Sequence, residues 1–278
     1  MVYWTKTKGG SFMGQRNAGP LLSRLGGLLC GLVCLLSLPG CLRSQAPPPS
    51  VPSATTPPPP YEGVAFTYDD RGFLTSDDIA CVPGIDVSYY QGAIDWPAVK
   101  AAGVEFAMIR LGYRSYRDGL LHTDPRAQEN LRGAKAAGLQ IGAYFFSQAT
   151  SASQALEEAH YALEILGETE LDLPLAFDWE YVSEDVPSAQ VTGPALEQCV
   201  RRFCDTVEQA GYESMIYFNL DLAKTRLELD DLQDYPFWLA WYADQLNFSH
   251  EVRLWQYSDK GRVPGIEGNV DLNLYFPA

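Results

Sequence analysis

The stretch LPLAFDWEY, residues 173–181, combines the features that decide the fold and the chemistry of this chain. It is an apolar run that is entered through Pro174 and ended by acidic residues, which is typical of a short buried strand. Side chains alternate between the two faces of a strand, so Asp178 and Glu180 point the same way, roughly 7 Å apart along the backbone. Crowding of two carboxylates raises the pKa of at least one, which predicts a proton donor near neutral pH. For an isolated pair, two solvated acids at a strand end would be the commoner explanation.

Strands and helices alternate on both sides of this stretch. Strands are predicted at 85–88, 106–111, 140–146, 173–181 and 214–219. The helices between them are predicted to begin near Asp95, Asp124, Ser151 and Pro194, and each ends at a glycine. Three further strands, 237–242, 252–257 and 270–276, follow with too little sequence between them for full helices. The pattern predicts one α/β domain, a parallel eight-stranded barrel whose last part is mostly sheet.

The charge of the chain is unevenly distributed. Residues 1–60 contain five basic side chains and no acidic ones, whereas the other 15 basic side chains share the rest of the chain with all 35 acidic ones. The barrel region is therefore strongly acidic and would be repelled by phosphate backbones. This excludes nucleic acid as a probable class of partner.

The first 80 residues have the composition of targeting and linker segments. Residues 1–40 resemble an export signal, with a basic start and an apolar centre that is short for a membrane span. Residues 38–41, LPGC, resemble a lipobox, which predicts lipidation of Cys41 and anchoring outside the cytoplasm; an ordinary secretion signal is the alternative. Residues 41–80 then form a proline-rich tether and a short extension, which contains a small predicted hairpin around 64–75. The catalytic barrel is assigned to 81–278.

The six cysteines do not form a disulfide framework. Three lie in the predicted leader and lipobox, which leaves Cys81, Cys199 and Cys204. The last two lie five apart in a predicted helix, with Cα atoms about 8–9 Å apart, too far for a bridge. Buried free thiols are expected, with a bond from Cys81 to one of the others as the alternative.

Acidic residues recur where the predicted strands meet the working face of the barrel. Asp86 lies on the first strand, Asp178 and Glu180 on the fourth, and Asp271 on the last. Closure of the barrel makes the first and last strands neighbours, which brings Asp86 and Asp271 together. Four converging carboxylates are costly unless they are hydrogen-bonded or used in catalysis. A divalent metal site is a rival explanation, but histidine is scarce and no loop has calcium-ligand spacing, so we predict no metal.

Aromatic residues accumulate at the same strand ends. Rings with hydroxyl groups can stack on sugars and hydrogen-bond to their edges. Each of these rings alone could equally belong to the core, and Trp179 is assigned to the core because it faces away from Asp178 and Glu180. Together with the acids they predict a carbohydrate site, since glycosidic cleavage needs an acid and a second carboxylate. The candidates are Tyr89, Tyr90, Tyr113, Tyr144, Tyr217, Trp241, Tyr242 and Tyr257.

Several motifs, taken in order, resemble glycoside hydrolase family 25, the Chalaropsis-type lysozymes. They are GIDVS at 84–88, QGAIDW at 91–96, IRLGY at 109–113, GAYFF at 142–146, FDWE at 177–180, LWQY at 254–257 and NVDLN at 269–273. The resemblance implies a flattened TIM-like barrel of five βα units and three further strands, (β/α)5(β)3. It also implies cleavage, without a cofactor, of the β-1,4 bond between N-acetylmuramic acid and N-acetylglucosamine in peptidoglycan.

The same resemblance implies roles for individual residues. Glu180 matches the proton donor, and Asp178 matches the partner that orients the substrate's acetamido group or stabilises developing charge. Asp86 and Asp271 match the remaining acids of the cleft. The residues expected to bind substrate are Tyr89, Tyr113, Tyr144, Tyr217, Trp241, Tyr242 and Gln256.

The expected protein is a monomeric muramidase whose partners are peptidoglycan strands and, through the lipid anchor, the membrane. Two alternatives stay open at this point. One is a glycosidase acting on another N-acetylglucosamine polymer such as chitin. The other is a module that binds the cell wall without cutting it.

Overall fold

The computed structural model describes residues 59–277. The predicted leader, the lipobox with Cys41 and most of the proline-rich tether lie outside the described residues. Within residues 59–277, the helices are too short or too polar to cross a membrane.

The described chain begins with a small hairpin and continues with alternating strands and helices. The hairpin is β1 (Thr67–Tyr68) and β2 (Leu74–Thr75), as predicted. The first βα units are β3 (Val82–Val87), α1 (Trp96–Ala101), β4 (Phe106–Arg114), β5 (Leu121–Thr123) and α2 (Ala127–Ala136). They are followed by β6 (Gln140–Ser147), α3 (Ala152–Leu166), β7 (Leu175–Trp179) and α4 (Gly193–Gln209). The last elements are β8 (Ser214–Asn219), α5 (Leu220–Thr225), β9 (Phe237–Ala240), β10 (Leu254–Gly261) and β11 (Val270–Tyr275).

Eight strands of the described region close into a barrel. The order is β3, β4, β6, β7, β8, β9, β10 and β11, and β11 pairs with β3 to complete the ring. The predicted eight-stranded barrel, with helices after its first five strands, is therefore confirmed. One part of the prediction was wrong, because β11 runs antiparallel to both of its neighbours. Its first residues consequently lie at the barrel end where the parallel strands finish, which brings Asp271 to the predicted face.

Local sequence signals account for most helix boundaries, with one informative exception. Asp95 caps α1 by accepting from the Ala98 amide, and Ser151 caps α3 by accepting from the Gln154 amide. The second helix was predicted to begin at Asp124, but α2 starts at Ala127. The Asp124 carboxylate accepts from the Arg126 backbone amide before this helix, and it also binds the Arg110 side chain and the Tyr89 backbone amide. A residue with the pattern of a helix cap therefore belongs to the loops at the barrel mouth.

The barrel has two hydrophobic layers. The interior cluster includes Phe106, Met108, Met215, Trp238 and Leu254. The outer cluster lies between the strands and the helices. At Gly84 a side chain would collide with the Phe106 ring, since a Cβ there would lie 2.3 Å from it. The glycine of the GIDVS motif is thus required for packing two residues below Asp86.

The hairpin before the barrel covers a wall that has no long helix. Phe66 is buried with its ring 5.1 Å from that of Trp255 on β10, and the Leu74 amide donates to the Tyr257 hydroxyl. Gln245 holds the Phe66 backbone at both its amide and its carbonyl. The hairpin therefore supplies on β10 the apolar cover that α1–α4 supply elsewhere.

The three cysteines in the described region, Cys81, Cys199 and Cys204, are free thiols. This agrees with the expectation of no disulfide framework. Cys199 and Cys204 are buried in α4, where burial is the largest cause that raises the pKa of each thiol to about 12. These thiols are therefore protonated packing groups at neutral pH.

Candidate active site

The four acids selected from the sequence converge at the mouth of the barrel. Asp86 on β3 and Asp271 on β11 are direct partners in the antiparallel register. Asp178 is the penultimate residue of β7, and Glu180 follows the end of that strand. Burial is the largest cause that raises the pKa values of Asp178 and Asp271. The charges of Asp86 and Glu180 raise both pKa values further. Acids from three strands thus form one electrostatic cluster.

Asp86 is held by side-chain amides from two neighbouring strands. Its Oδ2 accepts from Gln256 Nε2 and from Asn273 Nδ2, each at 2.8 Å. Asn273 Oδ1 accepts in turn from Trp238 Nε1 at 2.9 Å, which fixes the orientation of the amide. Burial raises the pKa of Asp86, and the two amide donors oppose that rise. The amides therefore favour Asp86 as the ionised member of the cluster.

Among residues 59–277, two carboxylate oxygens in the mouth have no hydrogen-bond partner. They are Asp178 Oδ1 and Asp271 Oδ1, both fully enclosed. Burial is the largest cause that raises the pKa of Asp178 well above its ordinary value, followed by the Glu180 charge. For Asp271, burial followed by the Asp86 charge raises the pKa to about 8. The environment of Asp178 and Asp271 therefore favours the protonated form of both carboxyls.

Glu180 is placed by its backbone and remains partly exposed. Its carbonyl accepts from Gln148 Nε2 at 2.8 Å, and Gln148 Oε1 accepts from Ser188 Oγ at 2.5 Å. Loss of water around the carboxyl raises the pKa of Glu180, with Asp86 adding to the rise and Arg110 opposing it. The Glu180 carboxyl is thus a proton-holding group with access to the cleft.

Trp179 faces the outer layer and donates to the Ala149 carbonyl, so the alternation predicted for residues 178–180 is confirmed.

The predicted aromatic residues divide into a floor and a rim. Tyr144 and Tyr217 belong to the interior cluster beneath the acids. Tyr217 and the exposed Tyr242 both donate to Gln256 Oε1, at 3.4 and 3.1 Å. This places the Gln256 amide between two tyrosine hydroxyls and Asp86. These residues form a continuous polar network from the floor to the rim.

Two aromatic residues proposed for the strand ends have other surroundings. Trp241 packs against the outer cluster, on the face opposite Ala240 and Tyr242. Tyr257 is buried and its hydroxyl accepts from the Leu74 amide under the hairpin. The placement of Tyr257 at the mouth was therefore wrong, because it occupies the outward position next to Gln256.

Arg110 and Asp124 form a buried ion pair that the sequence reasoning did not assign. Arg110 Nε lies 2.8 Å from Asp124 Oδ2. Three tyrosine rings surround the guanidinium, with centroids at 5.1, 5.3 and 5.4 Å for Tyr89, Tyr90 and Tyr113. Tyr113 is also stacked on His122 of β5. A cation thus lies within the acidic mouth, covered by aromatic rings.

Other residues of the mouth were also missed. Phe146 is paired in register with Asp178 and is partly exposed. Asp259 contributes to the raised pKa of Asp271, after burial and Asp86. Asn273 lies within the NVDLN motif but carried no role in the sequence reasoning. Strand alternation from Asp271 to Asn273 would have indicated that both face the same side.

Within residues 59–277, no group of three or more His, Cys, Asp or Glu side chains has an arrangement suited to a metal ion.

Comparison with known proteins identifies the family. The model of glycosyl hydrolases family 25 matches residues 85–266. This chain belongs to that family. The matched region contains Asp86, Asp178 and Glu180 but ends before Asp271 and does not include the hairpin β1–β2.

Relatives of this family 25 member include named lysozymes. The chain is 31% identical to the autolytic lysozyme of Clostridium acetobutylicum over 196 residues, which cover 69% of this chain and 55% of that protein. It is 27% identical to lysozyme M1 of Streptomyces globisporus over 286 residues, covering 95% of this chain and 94% of the relative. The structure of the bacterial lysozyme from Streptomyces coelicolor superposes with a TM-score of 0.60 and 28% identity, covering 71% and 92% of the two chains.

Proposed function

We propose that this family 25 protein is a peptidoglycan hydrolase, a muramidase. It cleaves the β-1,4 bond between N-acetylmuramic acid and N-acetylglucosamine. The observation that carries the proposal is the meeting of Asp178 and Glu180 with Asp86 and Asp271 in one aromatic-lined mouth. The similarity to named lysozymes supports the same activity.

Glu180 acts as the general acid. It is the partly exposed member of its pair, and its raised pKa keeps a proton available near neutral pH. Protonation of the glycosidic oxygen lets the leaving sugar depart as an alcohol while positive charge develops at the anomeric carbon. The Gln148–Ser188 pair holds the Glu180 backbone, so the carboxyl is delivered at a fixed position.

Asp178 assists from the floor of the mouth. Its Oδ1 is enclosed and has no donor within residues 59–277, and a rotation of the side chain on substrate binding would let an acetamido N–H donate to it. That contact orients the acetamido group toward the reacting carbon. The ionised Asp86, held by Gln256 and Asn273, stabilises the developing positive charge electrostatically.

Product analysis tests the proposal directly. Purified peptidoglycan is digested with the protein, and the soluble fragments are reduced and examined by mass spectrometry. Reduced muramic acid at the new chain ends is expected. Reduced glucosamine ends, or no new ends at all, would contradict the proposed bond.

The two alternatives make different predictions in parallel assays. A glycosidase for other N-acetylglucosamine polymers would release fragments from chitin oligomers at least as fast as from peptidoglycan. A wall-binding module would sediment with cell walls and release no reducing ends. The raised pKa of Glu180 favours a hydrolase over a wall-binding module, because binding alone needs no proton donor.

We further propose that the protein acts outside the cytoplasm as a monomer, tethered through a lipid on Cys41. The LPGC sequence and the proline-rich residues 44–60 support this arrangement. At about 3 Å per residue such a spacer reaches roughly 50 Å from the membrane. Cys41→Ser should move the protein from the membrane fraction to the soluble extracytoplasmic fraction, and unchanged membrane association would contradict the anchor.

A further inference from the structure

Tyr89 and Tyr90 form a close, tilted aromatic pair at the rim of the mouth. They lie in a single 3-10 turn that directly follows Ser88 at the end of β3. Their ring centroids are 4.2 Å apart with an interplanar angle of 31°. Arg110 faces both rings, and its charge opposes the rise that burial causes in the pKa of Glu180 and Asp178, so the pair lies beside the acidic cluster.

Contacts with the buried Arg110 and Asp124 hold the two tyrosine rings in place. The Arg110 guanidinium lies 5.1 Å from the Tyr89 centroid and 5.3 Å from the Tyr90 centroid. Asp124 binds Arg110 through Nε and also accepts from the Tyr89 amide at 3.1 Å. Arg110 and Asp124 are themselves buried. The two rings are therefore pre-organised, which reduces the entropy lost when they bind a ligand.

The rings nevertheless remain open to solvent. Tyr90 is 57% exposed and Tyr89 is 37% exposed, in contrast to Tyr144 and Tyr217 on the floor. An exposed aromatic surface that is held rigid beside a cleft is suited to stack on the apolar face of a flat ligand. Within a glycan-binding cleft that ligand is a pyranose ring.

We propose that Tyr89 and Tyr90 form an additional sugar subsite, which binds a ring beyond the two whose bond is cut. This inference rests on the proposed function. A neutral N-acetylglucosamine ring fits better than a muramic acid ring with its lactyl carboxylate or stem peptide, because Arg110 is already buried and paired with Asp124. The strongly acidic barrel region also disfavours an anionic ligand.

The subsite is tested by the dependence of binding on glycan length. Stem-free peptidoglycan glycans of two and six sugars are titrated against the Glu180→Gln protein, alone and combined with Tyr90→Ala. We expect Tyr90→Ala to weaken binding of the six-sugar glycan about 10-fold, equivalent to ~1.4 kcal/mol. Binding of the two-sugar glycan should stay within about twofold, and Tyr90→Phe should retain most of the six-sugar affinity.

Tyr68→Ala provides a matched control. Tyr68 is 54% exposed and lies on the hairpin, where its hydroxyl donates to Asp244. Its removal should leave both affinities unchanged. Thermal unfolding of each variant separates lost contacts from lost structure, and Tyr89→Ala gives a second variant if Tyr90→Ala is unstable.

Three results would overturn the subsite. They are an unchanged six-sugar affinity, an equal loss for both glycans, and a loss seen only when stem peptides are present. The wild-type digestion of purified peptidoglycan is measured separately. If the wild type releases no muramic acid ends, the proposed function fails; if it does and the length dependence is absent, only the subsite fails.

Discussion

Asp86 and Asp271 face each other across the antiparallel pair of β3 and β11, but they have unequal surroundings. Asp86 Oδ2 accepts two amide donors, whereas Asp271 Oδ1 has none. The pair therefore divides into a carboxylate and a carboxylic acid. This division explains how four acids occupy one mouth, since neighbouring buried charges are costly unless one is neutralised.

Asp271→Asn should stabilise the folded protein as the pH rises. Burial and Asp86 raise the pKa of Asp271 from 3.8 to about 8, so the folded state keeps a proton that the unfolded chain releases. Wild-type stability therefore falls as pH rises between these values, and the amide removes that loss. We expect a gain on the order of 1–3 kcal/mol at pH 8 and a smaller gain at pH 5, measured by denaturant unfolding.

The exposed Asp77 serves as the control for that series. Asp77→Asn should change stability by less than ~0.5 kcal/mol at both pH values. A gain for Asp271→Asn that is independent of pH would show that the Asp271 carboxyl is not protonated in the folded state.

Asp86→Asn should shift the alkaline limb of the activity profile to lower pH. Loss of water raises the pKa of Glu180 most, and the Asp86 charge raises it further. Removal of that charge lets Glu180 lose its proton at a lower pH, so the protonated form that catalysis needs disappears at a lower pH. The measurement is kcat/KM against pH on solubilised peptidoglycan. An alkaline limb that stays in place or moves upward would contradict the assignment of Glu180 as the titrating acid.

Glu158→Ala should lower the free energy of unfolding without altering the catalytic mechanism. Glu158 is fully buried behind β4, where it binds Arg114 Nε at 2.7 Å and Ser147 Oγ at 2.5 Å. Its removal leaves the buried Arg114 without its main partner, which should cost about 3–5 kcal/mol of unfolding free energy. Glu157 binds the same arginine from the surface with a side chain 58% exposed, so Glu157→Ala should cost less than ~1 kcal/mol. Equal losses for the two variants would refute the distinction.

Phe66→Ala should destabilise the barrel from outside the region that the family shares. Phe66 is buried against Trp255 and Phe276, although residues 59–84 precede the family match. Truncation of a buried phenylalanine costs about 3–5 kcal/mol, which for a domain of this size lowers Tm by several degrees. Thermal unfolding measures the effect, with the exposed Tyr68→Ala as control. An unchanged Tm would mean that the hairpin does not support the β10 wall.

The sequence was sufficient to predict the eight barrel strands and helices α1–α4, because apolar runs and glycine stops mark them clearly. Only the family resemblance implied a helix after the fifth strand, where α5 (Leu220–Thr225) lies. The sequence could not predict the direction of β11, since the residue pattern of this strand is compatible with both a parallel and an antiparallel neighbour. The short β5 was missed because Leu121–Thr123 offers three residues and no alternation. Its partner β4 extends beyond the barrel wall to meet it.

The acids of the site were predictable because each lies in a short motif next to an apolar strand. Their supporting groups were harder to find, because Arg110 on β4 and Asp124 in the loop after β5 meet only in the folded chain. Trp241 was assigned to the mouth from composition alone. Its segment, residues 237–242, is apolar throughout, so no polar alternation revealed which side chains face outward.

The central claim is that Glu180 supplies the proton that breaks the glycosidic bond. Its most direct test is the rate of reducing-end release from purified peptidoglycan by Glu180→Gln, compared with Glu184→Gln, which changes an exposed acid of the same loop. If Glu180 supplies the proton, Glu180→Gln should lose about 10²–10⁴-fold in rate with unchanged Tm and wall binding, and Glu184→Gln should lose none. Full activity in a folded Glu180→Gln protein would contradict the claim.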